Sequence, residues 1–413
     1  MQGAAISTRF KTYQQAVAFL IHELPKTQTS VFKDAENFQY NQRMLALLGS
    51  PQNNHAALHV AGTSGKGSIC YMINAILREH KKQTGLLVSP HVYDILERIQ
   101  INGEPVSELL FTENLSRLLV QVAPERPSYF ETLAMLGFVV TSQVQLDYLV
   151  VETGFGGLWD TSNTIERADK VCVLGQIGLD HTAILGDTIE AIAAQKAGII
   201  HRGNIVIALR QTPAVNEIFE RAAAEQGCVI QWVEKDDDYT VTNKRLALAA
   251  VNVVAERDGW QVEKKLVDKA IKNVFIPGRF ENLTYQGHKL LLDGAHNPQK
   301  LAALAQRLKL ESRTPVTAIL ALGDRKDLRG CLEALQPAVA RIIATEYFTD
   351  QQDIPRQPTT ASTVQKACEG LGIECQAFTK PAQALAAAAN YAEPIVATGS
   401  FYLLSEIKQA MEE

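Results

Sequence analysis

The sequence predicts an α/β protein with two domains. Short apolar runs rich in β-branched residues alternate with amphipathic helical stretches, the pattern of parallel sheets whose crossover connections are helices. The 413 residues are too many for one ordinary hydrophobic core. A Pro-Gly break at residues 277–278 separates two series of such elements, so we place the boundary there, with domains at 1–280 and 281–413.

The first series begins with two predicted helices and continues with strands and helices in alternation. Residues 13–24 and 38–48 have helical periodicity, and the buried strand 58–61 is followed by a glycine-rich turn and a helix over 69–80. Further strands are predicted at 86–88, 149–151, 171–174 and 205–208. The polar run 234–238 is a predicted surface loop, and residues 244–255 are a predicted helix.

The second series repeats the pattern on a smaller scale. Strands are predicted at residues 290–292, 318–320, 342–344 and 395–397, with helical stretches between them and a last helix from Phe401. This segment is long enough to fold as a smaller α/β domain.

Charge and composition exclude several classes of protein. Lys and Arg total 40 against 45 Asp and Glu, a net charge of −5 that disfavours binding of nucleic acid through bulk positive charge. No apolar run approaches the roughly 20 residues that a membrane helix needs. The six cysteines form no CxxC pair, which disfavours a zinc site or a disulfide framework. We expect a soluble cytoplasmic protein without membrane or nucleic-acid partners.

The turn after the first strand has the features of a phosphate-binding loop. In residues 62–68, GTSGKGS, glycines let backbone N–H groups converge on an anion at a helix N-terminus. Lys66 can reach the outer phosphates, and the Ser68 hydroxyl suits a phosphate or its magnesium ion. The spacing is a variant of GxxxxGK[ST], with a glycine between Lys and Ser. The alternative is a merely tight strand-to-helix turn.

The run VETGFGG at residues 151–157 also follows a strand, but Trp159 stands where the dinucleotide fingerprint needs a small residue. A nicotinamide or flavin site is therefore disfavoured. Glu152 is the more informative residue, because the carboxyl ends of strands form the ligand-binding edge of such sheets. Beside a triphosphate it would ligate magnesium. The alternative is a glutamate facing water.

Four further residues are candidates with equally ordinary alternatives. His181 follows a strand and could coordinate a metal, or be a loop histidine. Lys196 precedes a glycine at the predicted end of a helix, where lysines commonly complement the helix dipole. In the second series, Arg279 lies at the junction and could clamp a phosphate, and Asp293 could bind a ribose. The alternative for residues 293–298 is a capped turn at Asn297-Pro298.

Together these motifs resemble the folylpolyglutamate synthase and dihydrofolate synthase family of the Mur ligase superfamily, over nearly the whole chain. The resemblance implies a P-loop-type parallel-sheet ATPase domain followed by a smaller, Rossmann-like C-terminal domain. The segments that carry it are HVAGTSGKGS (59–68), SPH (89–91), FET (130–132), VETGFGGLWDTSN (151–163), LDH (179–181), QKAG (195–198), PGRF (277–280), DGAHNP (293–298) and GSF (399–401).

The resemblance also implies roles for individual residues. Those expected to hold the ATP phosphates are Gly65, Lys66, Gly67 and Ser68. Further nucleotide contacts are Asn243, Arg279 and Asp293. The implied magnesium ligands are Ser89, Glu152 and His181, and Lys196 matches a carbamylated lysine. Catalytic roles are implied for Lys66, His181 and Lys196. The implied pterin-side pocket comprises Ser128, Phe130, Glu131, Thr132, Trp159, Asp160 and Thr161.

The implied activity is ATP-dependent addition of L-glutamate to a folate, or to dihydropteroate, through an acyl phosphate. ATP and Mg²⁺ are the implied cofactors, the substrates are small molecules, and a monomer is expected. One rival function is that of a Mur-type ligase that joins an amino acid to a different carboxylate acceptor. A second is that of a phosphotransferase that stops after phosphorylation, and a third is nucleotide binding without catalysis.

Overall fold

A computed structural model describes residues 9–25, 35–123, 125–179, 185–311, 314–348 and 357–412. The chain divides into two compact units, Met1–Val274 and Phe275–Glu413, a few residues before the predicted boundary. Each unit contains one sheet with helices, so the α/β class predicted from the sequence is confirmed.

The first unit is built on an eight-stranded sheet within the described residues. Its strands are β1 (Ala56–Ala61), β2 (Thr84–Leu87), β3 (Ile99–Ile101), β4 (Glu104–Pro105), β5 (Tyr148–Glu152), β6 (Val171–Leu174), β7 (Ile205–Leu209) and β8 (Ile230–Val233). Its described helices are α1 (Tyr13–His22), α2 (Ala35–Leu47), α3 (Lys66–Glu79), α4 (Glu108–Gln121), α5 (Tyr129–Thr141), α6 (Ile189–Ala197), α7 (Pro213–Glu225), α8 (Tyr239–Arg257) and α9 (Lys264–Asn273).

The strand order β4-β3-β2-β5-β1-β6-β7-β8 puts β1 at the centre of this sheet. Strand β1 pairs in parallel with β5 and with β6, in the register Val60 to Glu152 and Ala61 to Leu174. The carboxyl ends of three neighbouring strands therefore meet at one edge, which is where open α/β sheets bind ligands.

One end of the sheet differs from the all-parallel arrangement that the sequence predicted. Strands β3 and β4 are antiparallel and are joined by Asn102 and Gly103, which have φ of 52° and 80°. Positive φ at both turn residues is typical of the tight hairpin turns that Asn-Gly favours. The Asn-Gly pair was the sequence signal for this hairpin, and its two short strands lack the apolar run that reveals a buried parallel strand. The short strand β8 was not predicted either.

The second unit contains a six-stranded sheet within the described residues, in the order β13-β12-β11-β14-β10-β9. Its strands are β9 (Glu281–Tyr285), β10 (His288–Asp293), β11 (Val316–Leu320), β12 (Val339–Ala344), β13 (Cys375–Ala377) and β14 (Ile395–Thr398). Its described helices are α10 (Pro298–Glu311), α11 (Leu328–Leu335), α12 (Ala361–Gly370), α13 (Pro381–Ala388) and α14 (Phe401–Glu412). Strand β9 alone is antiparallel within this sheet, and two residues with positive φ, Gln286 and Gly287, join it to β10.

The inner strands of both sheets are buried, whereas the strands at the sheet ends are partly exposed. The residues of β6 and β11 are all buried, which matches the unbroken apolar runs that predicted them. Within the described part of the chain, no helix has the length and apolar character to cross a bilayer.

Candidate active site

The loop at residues 62–68 consists of the connection from β1 to α3 and the first turn of that helix, and the segment that follows β6 braces it. Thr63 N donates to the carbonyl of Gln176 at 2.7 Å, and Thr63 Oγ1 donates to the carbonyl of Gly178 at 3.1 Å. A Cβ on Gly62 would lie 3.3 Å from Gly175 Cα, so the two chain segments approach closely. The loop is therefore held by its neighbouring strand rather than by its own turn alone.

Helix α3 begins at this loop without a capping side chain. Gly65 is the N-cap residue, with φ of 83°, and it leaves the first N–H groups of the helix without a side-chain acceptor. Lys66 is the first helical residue and is half-buried. A Cβ on Gly65 would lie 2.6 Å from Asn243 Oδ1, so the structure brings this predicted nucleotide contact beside the loop. Uncapped N–H groups at a helix N-terminus are a ready anion site.

The carboxylate of Glu152 lies beside the same helix. Glu152 ends β5, its side chain is buried, and its Oε2 accepts a hydrogen bond from Ser89 N at 3.1 Å. A Cβ on Gly67 would lie 3.3 Å from the same oxygen. The structure thus brings together Gly67 and two of the three predicted metal ligands. The carboxylate also acts on Cys70, whose pKa is raised by burial first and by the Glu152 charge second.

The third predicted metal ligand, His181, lies outside the described residues. Among the residues that are described, no three His, Cys, Asp or Glu side chains gather as a metal-binding group. The pair formed by Ser89 and Glu152 does not contradict this finding, because serine is not one of those four residue types.

Lys196 is buried in the last turn of α6, with 4% of its surface exposed. Its Nζ lies 3.4 Å from the carbonyl oxygen of Gly156, to which it donates. The end of α6 packs on the segment after Glu152, because Leu158 N donates to the carbonyl of Gln195 at 2.7 Å. A lysine that merely complemented a helix dipole would extend into water, so its burial argues for a more specific role.

A pocket of about 50 Å³ opens between these elements. Among its lining residues are two predicted metal ligands, Ser89 and Glu152, and two residues of the predicted pterin-side pocket, Phe130 and Asp160. The Phe130 ring packs directly on Gly154, where a Cβ would lie 2.0 Å from its Cζ. The rest of the wall is mostly apolar and consists of Leu87, Val88, Arg98, Leu133, Ala134, Gly137, Phe138, Val151, Gly154 and Ser162.

Asp160 is fully buried and shapes the turn that follows β5. Its Oδ2 accepts from Phe155 N at 2.7 Å, and its Oδ1 accepts from Ser162 N at 2.9 Å. Burial raises the pKa of Asp160, although these hydrogen bonds oppose the shift. Ser162 Oγ also lies 2.8 Å from Nε2 of His59, whose pKa is lowered by burial and by the Lys170 charge. The carboxylate is therefore engaged by the protein's own donors.

Four more residues of the predicted pterin-side pocket have side-chain partners within the fold: Glu131, Thr132, Trp159 and Thr161. The buried hydroxyl of Ser128 has no hydrogen-bond partner among the described residues. Glu131 accepts from Ser128 N at 2.8 Å and from Asn37 Nδ2 at 2.8 Å, which places it at the N-terminus of α5. Thr161 Oγ1 accepts from Asn41 Nδ2 at 3.2 Å. Two contacts complete the set: Thr132 Oγ1 donates to Pro127 O at 3.4 Å, and the Trp159 ring lies 5.9 Å from that of Phe38.

The second unit contains the remaining predicted nucleotide contacts. Asp293 is buried at the end of β10, where it accepts from Phe280 N and Ala295 N at 3.0 Å each, and burial raises its pKa. The Arg279 guanidinium lies over the Phe401 ring at 4.6 Å. Asn297 Oδ1 accepts from Lys300 N at the start of α10, as the capped-turn alternative predicted. Nucleotide contacts by Arg279 and Asp293 stay predictions.

Sequence reasoning missed Arg98, a buried arginine in the pocket wall. Its Nε donates to Nδ1 of His91 at 2.8 Å, and its guanidinium lies 5.8 Å from the centre of the Tyr129 ring. Burial and the Arg98 charge lower the pKa of His91, which keeps its ring neutral and able to accept this bond. No local motif marks Arg98, because only the fold brings its segment to the pocket.

Comparison with known proteins gives matches over both units. The Mur ligase middle domain matches residues 60–263, and the C-terminal domain of dihydrofolate synthetase matches residues 278–410. The dihydrofolate synthase/folylpolyglutamate synthase of Mycobacterium tuberculosis is 31% identical over 359 residues, 73% of this chain and 72% of that relative. The folylpolyglutamate synthase of Lacticaseibacillus casei is 29% identical over 97% of this chain and 98% of that relative.

Two solved structures have the same fold along nearly their full length. The M. tuberculosis folylpolyglutamate synthase complexed with ADP and AMPPCP has a TM-score of 0.82 at 25% identity, covering 97% of this chain and 98% of that one. The apo form of FPGS from L. casei has a TM-score of 0.80 at 26% identity, covering 97% of this chain and 100% of that one.

Proposed function

The chain belongs to the folylpolyglutamate synthase and dihydrofolate synthase family of the Mur ligase superfamily, and we propose that it joins L-glutamate to a folate carboxylate at the expense of ATP. It is an ATP-dependent ligase with small-molecule substrates. The observation that carries this proposal is the meeting of the loop at residues 62–68 with Glu152, which lies beside Gly67 at the edge of the sheet.

The phosphates of ATP would lie against the N-terminus of α3. Two features support this placement: the uncapped N–H groups of the helix, and the absence of side chains at Gly65 and Gly67. Lys66 would neutralise charge on the outer phosphates, and Ser68 would contribute its hydroxyl. Asn243, which touches Gly65, would lie beside the bound nucleotide.

A divalent metal ion would be held by oxygen ligands from Ser89 and Glu152, together with His181. A carboxylate and a hydroxyl fit a hard cation, and Mg²⁺ is the ion that most often accompanies a triphosphate. The Glu152 carboxylate already lies beside the phosphate loop, which is where such an ion has to be. When bound, the ion supplies positive charge to the transferring phosphoryl group.

An amine does not react directly with a carboxylate, because oxide is a poor leaving group, and phosphorylation of the carboxylate solves this problem. The acceptor carboxylate attacks the γ-phosphorus of ATP, so that a bond from carboxylate oxygen to phosphorus forms and ADP leaves. The amine of L-glutamate then attacks the acyl carbon, phosphate leaves, and the amine proton is released. Lys66 and the α3 N–H groups hold the triphosphate in position and stabilise the charge that spreads over the transferring group. The buried pocket keeps water from the acyl phosphate.

Lys196 would act as its carbamate, formed when the neutral amine adds to CO₂ with loss of a proton. Burial supports this step, because desolvation favours the neutral amine over the ammonium ion. The product has two oxygens and one negative charge, which suits a metal or a water ligand. Incubation with ¹³C-labelled bicarbonate should give a carbamate carbon resonance that is absent from Lys196→Ala.

The central experiment measures ADP formation and product mass with purified protein, MgATP, L-glutamate and one acceptor at a time. Tetrahydrofolate and dihydropteroate are the two acceptors, and each should gain one glutamate residue if the corresponding activity is present. ADP release that does not depend on glutamate would contradict the ligase assignment. ATP-dependent phosphorylation of the acceptor without amide formation would favour a phosphotransferase instead.

A further inference from the structure

We propose that Cys375 and Cys368 form a modification site, at which a small peroxide joins β13 to α12 by a disulfide. This inference goes beyond the proposed ligase activity and does not depend on it. Both cysteines are free thiols. Cys368 is buried in the last turn of α12, whereas Cys375 is partly exposed at the start of β13, the end strand of its sheet. One thiol can therefore meet an oxidant from solvent, and the other is shielded from it.

The chain between the two cysteines folds back so that their side chains meet. Ile373 N donates to the carbonyl of Cys368 at 3.0 Å. Gln365 Nε2, one turn earlier on α12, donates to the carbonyl of Cys375 at 3.3 Å. Cys375 also packs against the hydrophobic cluster that contains Cys368, and the two thiols are hydrogen-bonded to each other. A disulfide forms where two cysteine side chains already face each other, because it tolerates little backbone movement.

The hydrogen bond between the thiols makes them chemically unequal. By donating to the sulfur of Cys375, the Cys368 thiol lowers the pKa of Cys375, although burial opposes this shift. The same hydrogen bond, followed by burial, raises the pKa of Cys368. Because the thiolate is the nucleophile, Cys375 is the thiol that attacks the oxidant, and Cys368 reacts second.

The other four cysteines, all in the described part of the chain, lack this combination of exposure and a hydrogen-bonded thiol partner. Cys70, Cys172 and Cys331 are buried, and burial raises the pKa of each. Cys228 is partly exposed, but its thiol donates to the carbonyl of His201 at 3.3 Å. A peroxide should therefore oxidise the pair in preference to these four.

The reaction with hydrogen peroxide reduces both peroxide oxygens to water and oxidises both sulfurs. The Cys375 sulfur attacks a peroxide oxygen and the O–O bond breaks. The hydroxide that leaves takes up the proton that Cys375 lost, and Cys375 becomes a sulfenic acid. The Cys368 sulfur then attacks the Cys375 sulfur, so that the S–S bond forms and the S–O bond breaks. The second hydroxide leaves with the Cys368 proton as water, and a thiol reductant reverses the disulfide.

The test treats the reduced full-length protein with hydrogen peroxide, blocks the remaining thiols with N-ethylmaleimide and maps the product by mass spectrometry. The wild type should lose two of its six free thiols, while its intact mass stays that of a single chain. Cleavage after Glu369 and Glu374 separates the two cysteines, so a disulfide should keep the fragments linked until dithiothreitol is added. Free thiols at both positions, or a disulfide to any other cysteine, would overturn the proposal.

Two variants separate the roles of the two thiols. Cys368→Ala should stop at the sulfenic acid, so dimedone should label Cys375 and no linked fragments should form. Cys375→Ser should form no linked fragments either, and dimedone should not label Cys368, because that thiol is buried. Dimedone labelling of Cys368 in Cys375→Ser, or its absence from Cys375 in Cys368→Ala, would overturn the assigned order.

Cys228→Ser is the matched control, because it removes a partly exposed cysteine that lies outside the pair. It should give the same linked fragments as the wild type, and their loss in this variant would contradict the proposal. Mapping of the wild type requires no substitution, so the proposal stays open to refutation even if a variant does not fold. All of these measurements read thiols and masses, so their outcome is independent of whether the protein forms ADP.

Discussion

Gly65 and Gly67 show how the loop depends on missing side chains. Gly65 has a backbone conformation that L-residues adopt only with strain, and its Cα faces the amide of Asn243. Gly67 has an ordinary helical position, and there the constraint is the nearby Glu152 carboxylate. At Gly65, a side chain is therefore disfavoured by the backbone conformation and by the lack of room. At Gly67, only the lack of room disfavours it.

Gly65→Ala should weaken binding of a non-hydrolysable ATP analogue and lower the free energy of unfolding by roughly 1–2 kcal/mol. The strain of a positive φ and the 2.6 Å approach to Asn243 Oδ1 both oppose the new methyl group. Calorimetric binding and urea unfolding measure the two effects. Gly227→Ala is the control, because Gly227 has φ of 67° and nothing within 4 Å of its Cβ position. Gly227→Ala should lower the free energy of unfolding without weakening binding of the ATP analogue. Equal affinities of the two variants for the analogue would contradict the placement of the phosphates.

Lys66→Ala should reduce kcat by roughly 100-fold or more and should weaken ATP binding, since a charge that neutralises the transferring phosphoryl group is lost. The measurement is ADP formation with acceptor and glutamate present. Lys269→Ala removes an exposed lysine that is paired with Glu79, and it should leave both quantities unchanged. A Lys66→Ala protein with wild-type affinity for ATP would argue against the whole assignment.

At the scale of elements, the site is an edge where β1, β5 and β6 end together. Hydrogen bonds from Thr63 to Gln176 and Gly178 tie the loop after β1 to the segment after β6. The fit of the loop therefore depends on strand register, since one residue of slip would move Glu152 to the other face of the sheet.

The N-terminus of α5 gives a prediction that separates structure from binding. Glu131→Ala should lower the free energy of unfolding by roughly 1–3 kcal/mol, because Ser128 N and Asn37 Nδ2 lose their acceptor. Urea unfolding measures this loss, and Glu108→Ala, an exposed acid in the first turn of α4, is the control. If Glu131 also contacts the acceptor, the KM for the acceptor should rise while the KM for ATP stays constant.

At the scale of the whole molecule, buried basic groups make stability depend on pH. Lys170 is fully buried and donates from Nζ to the carbonyl of Ile165 at 3.0 Å. Burial lowers the pKa of Lys170, and burial followed by the Lys170 charge lowers the pKa of His201 from 6.5 to about 4. Between these two values the unfolded chain binds more protons at His201 than the folded protein does.

The contribution of His201 to stability is therefore complete above about pH 6.5 and is lost as the pH falls toward 4. Between pH 7.5 and pH 5, we expect the free energy of unfolding of His201→Gln to fall by about 1 kcal/mol less than that of the wild type, after allowance for partial exposure of the ring. Urea unfolding at the two pH values gives the difference. Identical slopes for wild type and His201→Gln would contradict the prediction.

Much of the fold was readable from local patterns. The strands at residues 171–174 and 205–208 and the helix from Phe401 were predicted within a residue or so of their observed bounds. Their apolar runs are continuous because both faces of a parallel sheet are covered. The antiparallel strands β3 and β4 were not predicted, because they have only three and two residues. Strand β9 was not predicted because it lies at the end of its sheet, where its residues are only partly buried and form no apolar run.

The sequence by itself determined the α/β class, the glycine-rich turn between a strand and a helix, and the position of Glu152 at the end of a strand, because each follows from a pattern in consecutive residues. Only the tertiary structure decided that Asp160 and Glu131 are occupied by the fold's own donors, and that Arg98 lies in the pocket without a carboxylate partner among the described residues. Hydrogen bonding and desolvation depend on which distant residues become neighbours, and a sequence read along its length does not contain that information.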